Sequence, residues 1–385
     1  MNQFAYRRPE LAVELGNRLE GSGLVDARSG LFLAAPRRVG KSTFLQEDMI
    51  PEIVRRDWLP VYVDLWAKKD RDPALLIADA IKFQLQQHEG RITKAARTMK
   101  LAKVSVFGSL TLDLAQPGLP PDVTLTDVLV ELHRLSGKPV VLIVDEAQHA
   151  LLSESGINTM FALKAARDRL NTSSSAPQLM LVLTGSNRDK LAHLVLNRSQ
   201  PFFGSSITTF PLLDQRFTSA FTEWPNAALA PGNQFEPAGV YRAFQLLGHR
   251  PEMLRELIRQ IALGGEAGNL TAILEVNAQH MNNRLWDEFD SEFEALTPLQ
   301  KAVLQVLIAK GSPWPPFSEE SMASYRSITE QATLSTATVQ SALDGLRERN
   351  LVWRESRGAY ALEDQGYAEW FRCRTTAFRD KLPTP

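Results

Sequence analysis

The stretch Gly40-Lys41-Ser42-Thr43 sets a primary ammonium between a glycine and two hydroxyls, a combination suited to holding a polyphosphate. In a tight loop before a helix, consecutive backbone N–H groups and the positive helix end surround a β-phosphate. A lysine there reaches the β- and γ-phosphates, and a hydroxyl ligates Mg²⁺. The loop here runs through Ala35, Pro36, Arg37, Arg38, Val39, Gly40, Lys41, Ser42 and Thr43, with Ala35 where the pattern usually has its first glycine. That exchange is tolerable where the backbone keeps a negative φ. Phosphoryl chemistry then needs a carboxylate for the metal and a base to orient water. "KPVVLIVDEAQHA" offers both, because the apolar run Val140 to Val144 ends directly in Asp145 and Glu146. Asp145 is expected in the Mg²⁺ shell with Ser42, and Glu146 as the group that polarises the attacking water. A second reading makes either acid a helix cap. Further on, "QLMLVLTGSNRDK" ends in Thr184, Ser186 and Asn187. Ser186 or Asn187 is placed to sense a γ-phosphate or hold the water, unless "GSNRDK" is an ordinary helix cap.

These groups work only if a scaffold brings them to one edge. Residues 31 to 34 are strand-like, Pro36 and Gly40 break the strand, and "KSTFLQEDMIPEI" spaces Phe44, Leu45, Met49 and Ile50 along one helix face. Further strands are expected at "LPVYVDLW" (59 to 66), at 178 to 190 and at "SITTFPL" (206 to 212). The resulting class is α/β: a P-loop NTPase core with a doubly wound parallel sheet, whose ligand lies beyond the carboxyl ends of the strands.

Composition narrows the rest. A chain of 385 residues with 44% hydrophobic content has material for more than one core, and a net charge of −1 gives no global field for nucleic acid or an anionic membrane. The one cysteine, Cys373, rules out a disulfide framework and a Cys-rich zinc site, and the six histidines lack HxxxH-type pairing. No signal-like or membrane-spanning apolar run is present, so no membrane partner and a cytoplasmic location are expected.

Taken in order, "FAYRRPEL", "APRRVGKST", "VYVDLW", "LIVDEAQ", "LTGS" and "LLGHRPEML" resemble the archaeal-type ATPases of the STAND class, relatives of the AAA+ ATPases, over nearly the whole chain. The resemblance implies an ATPase core, a helical lid and a C-terminal winged-helix domain, with nucleotide state governing assembly or partner binding. On that pattern the domains fall at 1–212, 213–290 and 291–385. It also implies that the segment Phe4 to Leu11 flanks the adenine, and that the turn Gly248 to Pro251 contacts the nucleotide through His249, Arg250 and Pro251. Read on its own residues, that turn is a helix end at Gly248 followed by a helix start at Pro251, which an ordinary corner would also give. Where the family often carries an arginine acting in trans, "QPFFGSSI" has Ser205; Arg188, Arg198, Arg37 and Arg38 are the substitutes on offer.

Arg91, Lys94, Arg97, Lys100 and Lys103 recur at three-residue spacing, either a phosphate-tracking stripe or a solvated helix face. "NAALAPGNQFEPAGV" (226 to 240) reads as a flexible connection. The last ninety or so residues read as three helices followed by a hairpin around Gly358, a winged helix. Its third helix presents Thr336, Thr338, Gln340 and Ser341 but no basic reader, leaving Arg354 and Arg357 on the wing for phosphates.

The expected activity is therefore Mg²⁺-dependent ATP binding and slow hydrolysis to ADP, coupled to homo-oligomer assembly or to an unidentified protein partner, with weak DNA binding through the winged helix. The alternative is a winged-helix DNA-binding or protein-interaction module with regulatory, weak or absent hydrolysis. A phosphotransferase is a weaker third reading, since the Asp-Glu pair suits water better than a substrate hydroxyl.

Overall fold

Strands without polar alternation must be covered on both faces, and those of this chain are. The computed structural model describes residues 4–22, 26–68, 70–88, 105–107, 110–112, 118–120, 122–172, 174–264, 268–364 and 366–379. They divide into two compact units, one made of residues 7–35 and 41–210, the other of 1–6, 36–40 and 211–385.

The first unit begins with α1 (Pro9–Glu20) and β1 (Leu31–Ala34). One continuous helical stretch follows, α2 (Lys41–Phe44), a π turn (Leu45–Met49) and α3 (Ile50–Arg55). The π turn was not anticipated. Its bond from Ile50 N–H to Leu45 O immediately precedes Pro51, which has no N–H to continue the α ladder. Then come β2 (Leu59–Asp64), α4 (Pro73–His88), the hairpin β3 (Ser105–Phe107) and β4 (Leu110–Leu112), α5 (Leu125–Ser136) and β5 (Val140–Asp145). After a 3₁₀ turn (Ala147–Leu152) come α6 (Glu154–Asn171), β6 (Leu179–Gly185), α7 (Arg188–Leu196) and β7 (Ile207–Thr209). The stripe Arg91 to Lys103 lies outside the described residues.

Five strands form one parallel sheet in the order β2-β5-β6-β1-β7. All of β5 and β6 is buried, consistent with helices on both faces, and each fully buried Val, Leu or Ile contributes roughly 1.5–3 kcal/mol. The order has a functional result. The strand before the loop, β1, and the strand ending in the acids, β5, are both hydrogen-bonded to β6, so the tip of β6 stands between them.

The second unit carries α8 (Gln215–Asn226), α9 (Pro237–Leu246), α10 (Pro251–Leu263) and α11 (Leu270–Glu294), packed around Phe217, Phe221, Phe244, Leu254 and Leu274. The connection expected at 226 to 240 is narrower, residues 227 to 236 between α8 and α9, because Pro237 already opens α9. A second apolar core holds α12 (Pro298–Lys310), α13 (Glu319–Thr329), α14 (Thr336–Glu348), β8 (Val352–Ser356) and β9 (Ala359–Leu362). Thr297, Ser318 and Ser335 cap the three helices with their hydroxyls, and Gly358 turns the antiparallel hairpin at φ 81°. This is the element order of a winged helix. The closing helix α15 (Gly366–Arg379) was not anticipated; Tyr367 OH donates to Phe289 O at 3.2 Å and Trp370 Nε1 to Asp290 Oδ2 at 3.2 Å, tying it to α11. Because α11 runs from Leu270 to Glu294, it crosses the border expected at 290 and joins both cores of this unit. Among the described residues no helix is long and apolar enough to cross a membrane.

Candidate active site

At the carboxyl edge of the sheet in the first unit, one cation and two acids that are far apart in sequence meet. Lys41 is 5% exposed, and its Nζ lies 2.9 Å from Asp145 Oδ1 and 2.7 Å from Glu146 Oε1. Ser42 Oγ donates to Asp145 Oδ2 at 2.7 Å, and Tyr62 OH donates to the same oxygen at 3.2 Å. Thr184, fully buried at the tip of β6, donates its hydroxyl to Asp145 Oδ1. Tyr62 and Thr184 were not singled out as site residues. Their contacts arise from strand order, with Thr184 on the strand next to Asp145, and spacing along the chain carries no sign of that.

Glu146 is held differently. Its backbone is left-handed, φ 56° and ψ 42°, an uncommon conformation for a residue with a side chain. Ser186 Oγ donates to Glu146 Oε2 at 2.7 Å and Ser186 N–H at 3.3 Å, and the Gln148 amide donates to that same oxygen. Ser186 thus joins the cluster, whereas Asn187 Oδ1 accepts from Lys190 N–H at 2.9 Å as the N-cap of α7.

Burial pushes the Asp145 carboxyl up, but the Lys41 ammonium and the hydroxyls of Thr184 and Ser42 outweigh it, so the group titrates below its usual range. Glu146 behaves alike, with burial opposed by Lys41, Ser186 and Gln148 and a net downward shift. Asp64, paired in register with Asp145, moves the other way, raised by burial and by the neighbouring carboxylates. Burial and Asp145 also push the Tyr62 phenol up, which keeps it a donor.

In the loop, Arg38 and Gly40 have φ 65° and 88°, while Ala35 is absent from the positive-φ residues, which removes the objection to alanine in place of glycine. Arg37, Arg38, Ser42 and Thr43 are exposed; Val39 is buried. Arg188 is 7% exposed, too buried to be displayed to another chain, whereas Arg198 is exposed.

For Mg²⁺ the donor set fits. One carboxylate and one hydroxyl, both hard oxygen ligands, match an ion that is bound through one or two carboxylates together with substrate phosphates. Among the described residues no group of three or more His, Cys, Asp or Glu side chains forms a self-sufficient metal cage.

The N-terminal segment is split between the units. Arg7 pairs with Asp48 at 2.9 Å and Arg8 lies over the Phe210 ring at 4.8 Å in the first, while Phe4 and Tyr6 pack on Phe217 at 6.2 and 5.4 Å in the second. In the second unit Gly248 and His249 take φ 65° and 56°, and Pro251 opens α10. There His249 Nδ1 lies 2.8 Å from Leu213 O, and Arg250 lies 3.6 Å from Asp364. A role for these residues at the nucleotide rests on the resemblance.

No protein-family model matches the chain, and no curated protein matches it. Among solved structures it is similar to the Walker-type ATPase of Pyrococcus abyssi, with 18% identity over 96% of this chain and 96% of that one and a TM-score of 0.52. It is also similar to the ORC2 protein of Aeropyrum pernix in its ADP form, with 15% identity over 100% of this chain and 96% of that one and a TM-score of 0.53. At such identities the likeness establishes the fold: a P-loop ATPase α/β sheet followed by helical and C-terminal domains.

Proposed function

We propose that this protein binds ATP with Mg²⁺ and hydrolyses it slowly, as a switch of the STAND class coupling nucleotide state to assembly or to a protein partner. The observation that carries the reading is the convergence of Lys41, Ser42, Asp145 and Glu146 at one strand edge. The fold shared with a Walker-type ATPase and with a protein solved in its ADP form supports it.

With a triphosphate in the loop, the Lys41 ammonium exchanges its two carboxylates for phosphate oxygens, and Ser42 and Asp145 are left facing the metal position. Ser42 and Asp145 would hold Mg²⁺ there, and the ion would supply positive charge against the phosphates. Released from Lys41, Glu146 Oε1 accepts a proton from water while Ser186 holds the other oxygen. Steady-state hydrolysis of Mg-ATP by the wild type and by Glu146→Gln tests the reading: turnover by the first, and loss of turnover without loss of binding in the second. Light scattering with ADP and with a slowly hydrolysed ATP analogue tests the coupling to assembly.

A second reading, weak DNA binding through the C-terminal core, is supported by the helix-helix-helix-hairpin order of α12, α13, α14, β8 and β9. Gln340 on α14 is already engaged by Asp344, at 3.0 Å, so any contact falls to the wing arginines and is not sequence-specific.

A further inference from the structure

Two residues beyond Glu146, a glutamine has been built into the strand edge. Gln148 is 3% exposed, and its Nε2 donates to Glu146 Oε2 and lies 3.4 Å from Ser186 Oγ. The carboxylate fixes which way the amide faces, since the reversed amide would set a carbonyl oxygen against a carboxylate oxygen. Its Oε1 is buried without a hydrogen-bond partner and sits 2.6 Å from where a Cβ on Gly185 would stand. Gly185 is not in the left-handed region, so glycine is needed there for room and not for backbone freedom. The last residue of β6, Gly185, thus leaves a slot just before Ser186 into which the Gln148 side chain fits. A buried amide with one end unsatisfied is disfavoured, and its other end is spent wholly on the Glu146–Ser186 pair.

We propose that Gln148 is a positioning residue for Glu146, holding Oε2 together with Ser186 so that Oε1 alone is presented to the attacking water. The proposal rests on the ATPase reading above. In the step it serves, the water oxygen forms a bond to the γ-phosphorus and the water proton passes to Oε1. The bridging P–O bond breaks with its electron pair on ADP.

The test uses Gln148→Met, which keeps length and loses the donor, and Gly185→Ala, which fills the slot from the opposite side. Mg-ATP hydrolysis and binding are measured for each variant, alone and combined with Glu146→Gln. Alone, both should lower kcat about tenfold with little change in KM or in binding. In the Glu146→Gln background neither should lower kcat further, since the carboxylate they position is gone. A further loss there overturns the proposal, because a merely structural glutamine would act in both backgrounds. If the wild type itself fails to turn over ATP, the ATPase reading falls; crystal structures of the wild type and of Gln148→Met then decide, an unmoved Glu146 carboxylate overturning the proposal.

Discussion

Ser42 and Asp145, 103 residues apart in sequence, meet through a 2.7 Å hydrogen bond from Oγ to Oδ2. The bond joins the loop after β1 to the end of β5, although those strands are not neighbours. Thr184, on the strand lying between, bonds the other oxygen of the same carboxylate. Asp145 is thus fixed from both sides before any ligand arrives.

Thr184→Val keeps the shape of the side chain and removes a donor to a buried carboxylate. A hydrogen bond to a charged group is worth roughly 1.5–3 kcal/mol, so the variant should unfold at lower denaturant with an unchanged m-value. An unchanged midpoint would mean that Asp145 does not depend on this hydroxyl.

Lys41→Met should abolish nucleotide binding, because the triphosphate loses its opposing ammonium. A ligand that binds only the folded state stabilises by about 2.7 kcal/mol at a hundredfold excess over Kd. The wild type should therefore melt higher with Mg-ATP and the variant should not; equal shifts in both would place the nucleotide elsewhere.

Glu146→Gln should bind Mg-ATP nearly as the wild type does but turn over about a hundredfold more slowly, since shape is kept and basicity lost. Asp145→Asn should instead weaken the Mg²⁺-dependent part of binding. Isothermal titration with and without Mg²⁺ separates the two.

How much of this was legible in the sequence follows from what each residue answers to. Lys41, Ser42, Asp145 and Glu146 stand out because phosphate and metal chemistry demand those types after an apolar strand, and the strand-loop-helix setting repeats the demand. Tyr62, Thr184 and Gln148 carry no such mark, for a tyrosine in a strand, a threonine at its tip and a glutamine in a short helix are ordinary in those places. Strand order alone brings Tyr62 and Thr184 to the acids, and Gln148 sits two residues past Glu146 in the 3₁₀ turn. Asn187 shows the converse, a polar residue at the right tip whose side chain caps a helix.

Acid should unfold the nucleotide-free protein partly through this cluster. Asp145 and Glu146 both titrate below their ordinary values of 3.8 and 4.5. Depressed in the folded state, they take up protons first in the unfolded chain, so the stability they confer is complete above those values and lost as the pH falls through the folded ones. Urea midpoints measured downward from pH 6 should fall less steeply in Lys41→Met, which lacks the cation that lowers both.

Asp64 has the opposite sign. Burial and the nearby acids raise its carboxyl, so at neutral pH its charge opposes folding. Asp64→Asn keeps an acceptor for the Trp66 N–H, now 2.8 Å away, and removes the charge. Its melting temperature at pH 7 should exceed that of the wild type, the difference vanishing as acid protonates Asp64.

The place of β1 in the sheet also bears on how the chain is made. It leaves the ribosome before every other strand, yet its neighbours are β6 and β7, with Leu31 opposite Val182 and Phe32 opposite Ile207. At about 5–20 residues per second, roughly seven to thirty seconds of synthesis separate the nascent loop after β1 from the strands that brace it. The pair β2 and β5 closes earlier, so an acid-bearing half-sheet precedes the loop-bearing one, and closure over so long a loop is entropically slow. Nascent chains stalled with β5 exposed but β6 still in the exit tunnel should therefore be unable to retain ATP, and competence should arrive in one step once β7 has emerged.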